Sequence, residues 1–142
     1  MRRMAKNILR NVVRNYLDRD PVTMKILSQL WDKSTEMKEA LDHRDTEAFG
    51  GLIAHVWELN KTLDPGTSNN DIEAILDRIS PFIYGAKLLG AGGGGFLFIV
   101  TKGIREARKV KEILTTDGGS PNPRSRFFDF DVEAGGLKVN VL

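Results

Sequence analysis

Between Leu88 and Leu97 the chain reads Leu89-Gly90-Ala91-Gly92-Gly93-Gly94-Gly95-Phe96, with five glycines in six positions and an apolar run on either side. Glycine loses more conformational freedom on folding than any other residue, so a cluster this dense needs a cause. Either the backbone requires φ > 0 at several positions, or a neighbour approaches with no Cβ in the way. Successive N–H groups in such a loop also form a concavity for an anion. A plain hairpin turn is the alternative. Gly90, Gly92 and Gly95 satisfy G-x-G-x-x-G, but the dinucleotide fingerprint needs a helix directly after it. Here Phe96-Leu97-Phe98-Ile99-Val100 follows, the pattern of a buried strand, and no Gly-Lys-Ser/Thr closes the run as in a Walker A loop. Both of those nucleotide-loop readings fail on context.

At 142 residues the chain fits one domain with a real core. Apolar residues make up 41% and charged residues 28%, ordinary globular values. There is no cysteine, which removes disulfides and thiolate metal sites. His43 and His55 are the only histidines, too few for a His-rich metal centre. No apolar run reaches the roughly 20 residues of a membrane span, and no hydrophobic signal-peptide core follows the basic N-terminus. The expected setting is cytoplasmic, with no membrane partner. Residues 1–20 hold six basic groups against Asp18 and Asp20, but base-stacking aromatics are scarce beside them. A solvated helix face is expected there, and no nucleic-acid partner.

The periodicity predicts a first helix over residues 3–17, with Ala5, Ile8, Leu9, Val12, Val13, Tyr16 and Leu17 apolar and Arg2, Lys6, Arg10 and Arg14 four apart on another face. Asp20-Pro21 is a helix start, and Ile26, Leu27, Leu30, Trp31, Met37 and Leu41 mark the buried stripe of a second helix reaching about Leu41. Asp45 caps a third, with Phe49, Leu52, Ile53, Val56, Leu59 and Leu63 inward; the short link makes the two an antiparallel pair. Gly50-Gly51 costs that helix roughly 2 kcal/mol relative to alanines, and close helix contact is the expected reason. Asp64-Pro65-Gly66-Thr67 is a turn. Ser68 to Asp71 resembles a capping box for a fourth helix carrying Ile72, Ile75, Leu76 and Ile79 and stopped by Pro81. Strands are expected near 86–89 and 96–101. A fifth helix follows from Lys102 to about Thr116, with Ile104, Ala107, Val110, Ile113 and Leu114 inward. Further strands are expected at 126–132 and 137–141. This order predicts an α+β fold: a four-stranded antiparallel sheet covered by about five helices, with a helical part over residues 1–81 and a glycine-loop α/β part over 82–142.

The stretch Gly85-Ala86-Lys87-Leu88-Leu89-Gly90-Ala91-Gly92-Gly93-Gly94-Gly95-Phe96 resembles the third motif of the GHMP kinases, and within them the sugar-kinase branch that includes L-fucokinase and the heptose-phosphate kinases. Pro121-Asn122-Pro123-Arg124-Ser125-Arg126-Phe127 resembles the tail of the bifunctional fucokinase/GDP-fucose pyrophosphorylases, and Arg3-Met4-Ala5-Lys6-Asn7-Ile8-Leu9 a segment well inside the kinase chain. The resemblance implies a GHMP kinase C-terminal domain-like fold and a piece of a longer ATP-dependent sugar kinase, most like L-fucokinase, which makes fucose 1-phosphate. It implies ATP and magnesium as cofactors of the longer enzyme, with none bound tightly by this piece. Its implied partners are the N-terminal kinase domain of the same protein and a sugar substrate. The exposed interface left by that domain favours a homo-oligomer of the piece alone.

The resemblance also implies that Gly90, Ala91, Gly92, Gly93, Gly94 and Gly95 lie beside substrate and phosphates. The family's phosphate loop, Pro-x-x-x-Gly-Leu-Gly-Ser-Ser, is absent from this sequence, no catalytic residue is assigned, and the piece alone is expected to be inactive. Thr67, Ser68 and Asn69 are candidates for the substrate side, with helix capping as the competing account. Lys87 is a candidate phosphate contact, with an edge-strand lysine as the competing account. A non-enzymatic ligand-binding module and an oligomerisation module are the alternative functions; neither explains why the motif extends beyond glycine to its flanks.

Overall fold

A computed structural model describes residues 2–90, 95–116, 125–131 and 135. Helices α1 (Arg2–Leu17), α2 (Pro21–Asp42) and α3 (Thr46–Leu63) come first, then a 3₁₀ turn (Pro65–Thr67) and α4 (Asn70–Ile79). A second 3₁₀ turn (Ser80–Phe82) leads into β1 (Ile83–Leu88), β2 (Leu97–Thr101) and α5 (Ile104–Thr115).

The helix starts follow the expected chemistry. The Asp20 carboxylate accepts from the Thr23 N–H at 2.7 Å with Pro21 in the first turn, and Asp45 accepts from the Ala48 N–H at 2.9 Å. The fourth helix differs by one residue from the expected capping box. Asn69, not Ser68, is the N-cap, accepting from the Ile72 N–H at 3.0 Å, while the Ser68 hydroxyl donates to Glu73.

β1 and β2 are antiparallel, with Gly85 opposite Val100, Ala86 opposite Ile99, Lys87 opposite Phe98 and Leu88 opposite Leu97. The register slips between Ile83 and Gly85, leaving Tyr84 as the extra residue of a bulge. α3 packs across β1 at the closest approach in the fold. A Cβ on Gly85 would lie 2.9 Å from the Gly50 carbonyl carbon and 3.0 Å from the Ala54 nitrogen. A Cβ on Gly50 would lie 3.2 Å from Val100 Cγ1 and well under 3.0 Å from Tyr84 Cβ. The neighbour that excludes a side chain at Gly50 is therefore a strand, not another helix, and among the described residues nothing lies within 4 Å of the missing Cβ of Gly51.

α2 backs α3 through Thr23, Ile26 and Ala40. α4 and α5 pack on each other, with Ile79 and Val110 buried. The core holds Ile53, Trp57, Ile72, Ile79, Ala86, Leu88, Val100 and Val110, and Ile79 is sealed completely.

Among the described residues the sheet has two strands, not the expected four. Residues 126–131 join no ladder. Their alternation is used for side-chain contact instead: the Phe128 ring stands edge-on to Phe96 at 5.1 Å, and Phe130 to Phe98 at 6.1 Å. The expected strand at 137–141, and Val132, lie outside the described residues.

Several expected buried stripes are also corrected. In α1, among residues 5–17, only Ile8 is buried, while Leu9, Val13, Tyr16 and Leu17 are exposed, because α1 leans on its neighbours through a narrow face. Trp31 is 77% exposed, and Leu41 and Ile104 also face solvent. Trp57, absent from the expected stripe of α3, is only 3% exposed and anchors the cluster with Ile72 and Leu88.

Candidate functional site

The β1–β2 hairpin brings the two described ends of the glycine stretch together. The Leu89 N–H donates to the Phe96 carbonyl at 2.8 Å, closing the ladder at the mouth of the loop. Just inside it, Gly90 has φ +87° and Gly95 φ +113°, conformations that a side chain strongly disfavours. Both ends of the loop thus require glycine for backbone reasons; Ala91, Gly92, Gly93 and Gly94 lie outside the described residues.

The loop end of β1 meets the start of α4. Leu88 packs with Ile72, three residues beyond the Asn69 cap, and with Trp57 of α3; Leu76 and Leu97 close the cluster. Ser68 and Asn69 therefore sit at the same end of the sheet as the glycine stretch. Their polar groups are engaged locally. The Thr67 hydroxyl, buried, donates to the Asn60 carbonyl at 3.1 Å, and Ser68 and Asn69 make the cap contacts described above. Asn69, Asn70 and Asp71 line a shallow open depression at the helix start.

The turn before α4 is fastened by Asp64. Its buried carboxylate accepts from the Gly66 N–H at 2.8 Å and from Asn11 Nδ2 of α1 at 2.9 Å. Lys61 ties α3 to α4, pairing with Glu58 at 2.8 Å and Glu73 at 3.2 Å, 5.9 Å above the Trp57 ring. Burial alone lowers the Lys61 pKa, but the two carboxylates outweigh it and hold it above the ordinary lysine value.

Lys87 is different. It is half-buried on β1, its Nζ donates to the Leu88 carbonyl at 2.9 Å, and no carboxylate pairs with it among the described residues. Desolvation pushes its amine below the ordinary value of 10.5. Elsewhere in the core, the buried indole Nε1–H of Trp57 lacks an acceptor among the described residues. Sequence reasoning missed Trp57, although its position four residues after Ile53 on α3 was the available signal.

Among the described residues no group of three or more His, Cys, Asp and Glu could hold a metal ion. No helix among them is long and apolar enough to cross a membrane. Among the described residues, the hairpin thus offers two positive-φ glycines at its mouth and, on β1, a lysine with no carboxylate partner.

Residues 37–119 match the family model for the C-terminal region of the GHMP kinases. Over 138 residues, 97% of this chain, the sequence is 37% identical to the L-fucokinase/L-fucose-1-P guanylyltransferase of Bacteroides fragilis. It is 32% identical over 79% of the chain to the bifunctional fucokinase/GDP-fucose pyrophosphorylase of Arabidopsis thaliana. It is 25% identical over 70% of the chain to a D-glycero-alpha-D-manno-heptose 7-phosphate kinase of Campylobacter jejuni. These matches span 14%, 11% and 30% of the respective relatives. With more than half of its length matched and a glycine-ended hairpin under a helical layer, the chain belongs to the GHMP kinase family, as a C-terminal domain of α+β architecture.

Proposed function

We propose that this chain is the C-terminal part of an ATP-dependent sugar kinase that transfers the γ-phosphoryl group to a sugar hydroxyl, with L-fucose as the acceptor and fucose 1-phosphate as the product. The observation that carries this reading is the 37% identity across 97% of the chain to a protein named for L-fucokinase activity. That relative and the Arabidopsis one are named for two activities, but the heptose 7-phosphate kinase is named for a kinase alone. The shared segment therefore goes with the kinase half.

Phosphoryl transfer depends on holding acceptor, phosphates and charge together rather than on covalent chemistry by the protein. In this reading the hairpin supplies one wall of that site. Gly90 and Gly95 turn the backbone where no side chain intrudes, and the start of α4 borders the same end. Binding of MgATP belongs, in this reading, to the N-terminal kinase domain of a longer protein.

Sugar-dependent ADP release tests the proposal. The chain alone should release none with L-fucose, and a longer protein containing it should do so with ATP and magnesium. Turnover by the isolated chain would refute the split site; a folded longer protein inactive on every sugar would refute the kinase reading.

A further inference from the structure

α1 is held to the fold by one side, where Ile8 is buried and Asn11 donates to the Asp64 carboxylate. Its outer side carries an apolar row at four-residue spacing, Leu9, Val13 and Leu17, each more than half exposed. Lys6, Arg10 and Arg14 run alongside as a second row, and the two rows line a shallow open groove with Asp18 at its C-terminal end. The three cations are exposed, and no carboxylate pairs with them among the described residues. Helical spacing puts Arg10 and Arg14 along one border of the apolar row; Ala5, Val12 and Tyr16 form the other border, which is uncharged.

A contiguous exposed apolar row marks a docking surface, and its charge selects the occupant. A second copy of this chain offers no acidic edge. Paired antiparallel, two such faces bring Arg10 and Arg14 of both copies onto one side; paired parallel, these cations meet Ala5, Val12 and Tyr16. Self-pairing is therefore left to high concentration. A lipid surface draws basic side chains to both borders of an apolar face, but α1 has them on one. We infer that the outer face of α1 docks an amphipathic protein helix, whose apolar stripe lies on Leu9, Val13 and Leu17 and whose acidic edge pairs with Lys6, Arg10 and Arg14. The assignment stands apart from the kinase reading.

The test uses the 142-residue chain and a labelled synthetic helix with leucine at its a and d positions and glutamate along one edge. The control peptide has lysine in place of each glutamate. In fluorescence anisotropy at low salt the chain should bind the glutamate peptide at least about tenfold more tightly, since three exposed attractions replace three repulsions. The preference should shrink as salt is added. In the chain carrying Arg10→Glu and Arg14→Glu the preference should reverse. A measurement on the unmodified chain is independent of that variant's folding: carbodiimide should join the glutamate peptide to Lys6, read by mass spectrometry. Equal affinity for the two peptides, binding of neither, or cross-links confined to lysines outside α1 would overturn the inference. Displacement of the peptide by phosphatidylserine vesicles would assign the face to a lipid surface instead, and a dimer that the peptide fails to dissociate would assign it to a second copy; either result overturns the acidic helix.

Discussion

Gly50→Ala and Gly51→Ala should change stability in opposite directions, although the two residues are neighbours in α3. Alanine is favoured over glycine in a helix interior by about 1 kcal/mol, so propensity alone predicts the same gain at both. Packing separates them. A Cβ at Gly51 meets nothing within 4 Å among the described residues, and the full gain of about 1 kcal/mol should appear. A Cβ at Gly50 meets Tyr84 Cβ well inside 3.0 Å, with the Tyr84 carbonyl carbon and Val100 Cγ1 both at 3.2 Å. Tyr84 Cβ is fixed to the strand backbone, so no rotamer change relieves the clash. α3 must retreat from β1 by about 1 Å, loosening the packing of Ile53 and Trp57 behind it; overpacking of this kind costs roughly 1–3 kcal/mol. The backbone character of the contact puts the cost at the upper end. After the propensity gain, Gly50→Ala should be destabilised by about 2 kcal/mol, a separation of about 3 kcal/mol between the two variants. Urea unfolding followed by circular dichroism measures both midpoints. Equal stabilisation of both variants would show that α3 does not press on the bulge at Tyr84, and the reasoning would fail.

Other outcomes follow from the same contacts. Asp64→Ala strands the Asn11 amide and the Gly66 N–H at a buried corner and should cost about 2–3 kcal/mol by chemical denaturation, with Asp64→Asn partly restoring it. The Asp20 carboxyl is held below its ordinary pKa of 3.8, chiefly by the Thr23 backbone N–H. Its contribution is present above the unfolded pKa and is lost as pH falls through the lower folded value. Asp20→Ala should therefore flatten the acid limb of the stability curve below about pH 5 in urea titrations. The exposed stripe Leu9, Val13 and Leu17 on α1 should make the isolated chain self-associate at high concentration, and Val13→Lys should weaken that association in sedimentation. A clean monomer throughout would contradict it.

The parts of the fold legible in the sequence are those with local causes. Asp20-Pro21 and Asp45 announce helix starts because each cap is made by one side chain and an N–H three residues on. The glycine stretch announces a hairpin rather than a dinucleotide loop because the residues after it are β-rich, and the pairing of Leu88 with Leu97 agrees. What sequence could not supply was which apolar residues meet a partner. Leu9, Val13 and Leu17 carry the same helical spacing as buried residues, yet each stays more than half exposed. Phe128 and Phe130 alternate with acids as a strand would, and the pattern is spent on ring contacts with Phe96 and Phe98. At the candidate site, the need for glycine at Gly90 and Gly95 was legible as composition, and only the backbone shows that both ends have positive φ. That no carboxylate among the described residues pairs with Lys87 is a tertiary fact that no local pattern encodes.

The most direct measurement of the central claim is turnover by Gly95→Val in the longer sugar kinase, set against its melting temperature. With φ at +113° and, among the described residues, only the Leu89 carbonyl oxygen near the missing Cβ, at 3.9 Å, the substitution strains the hairpin mouth rather than the core. The account predicts a loss of kcat of at least about tenfold, equivalent to about 1.4 kcal/mol in the barrier, with the melting temperature lowered by only a few degrees. Undiminished sugar-dependent ADP release by the folded variant would contradict the placement of the glycine hairpin in the phosphoryl-transfer site.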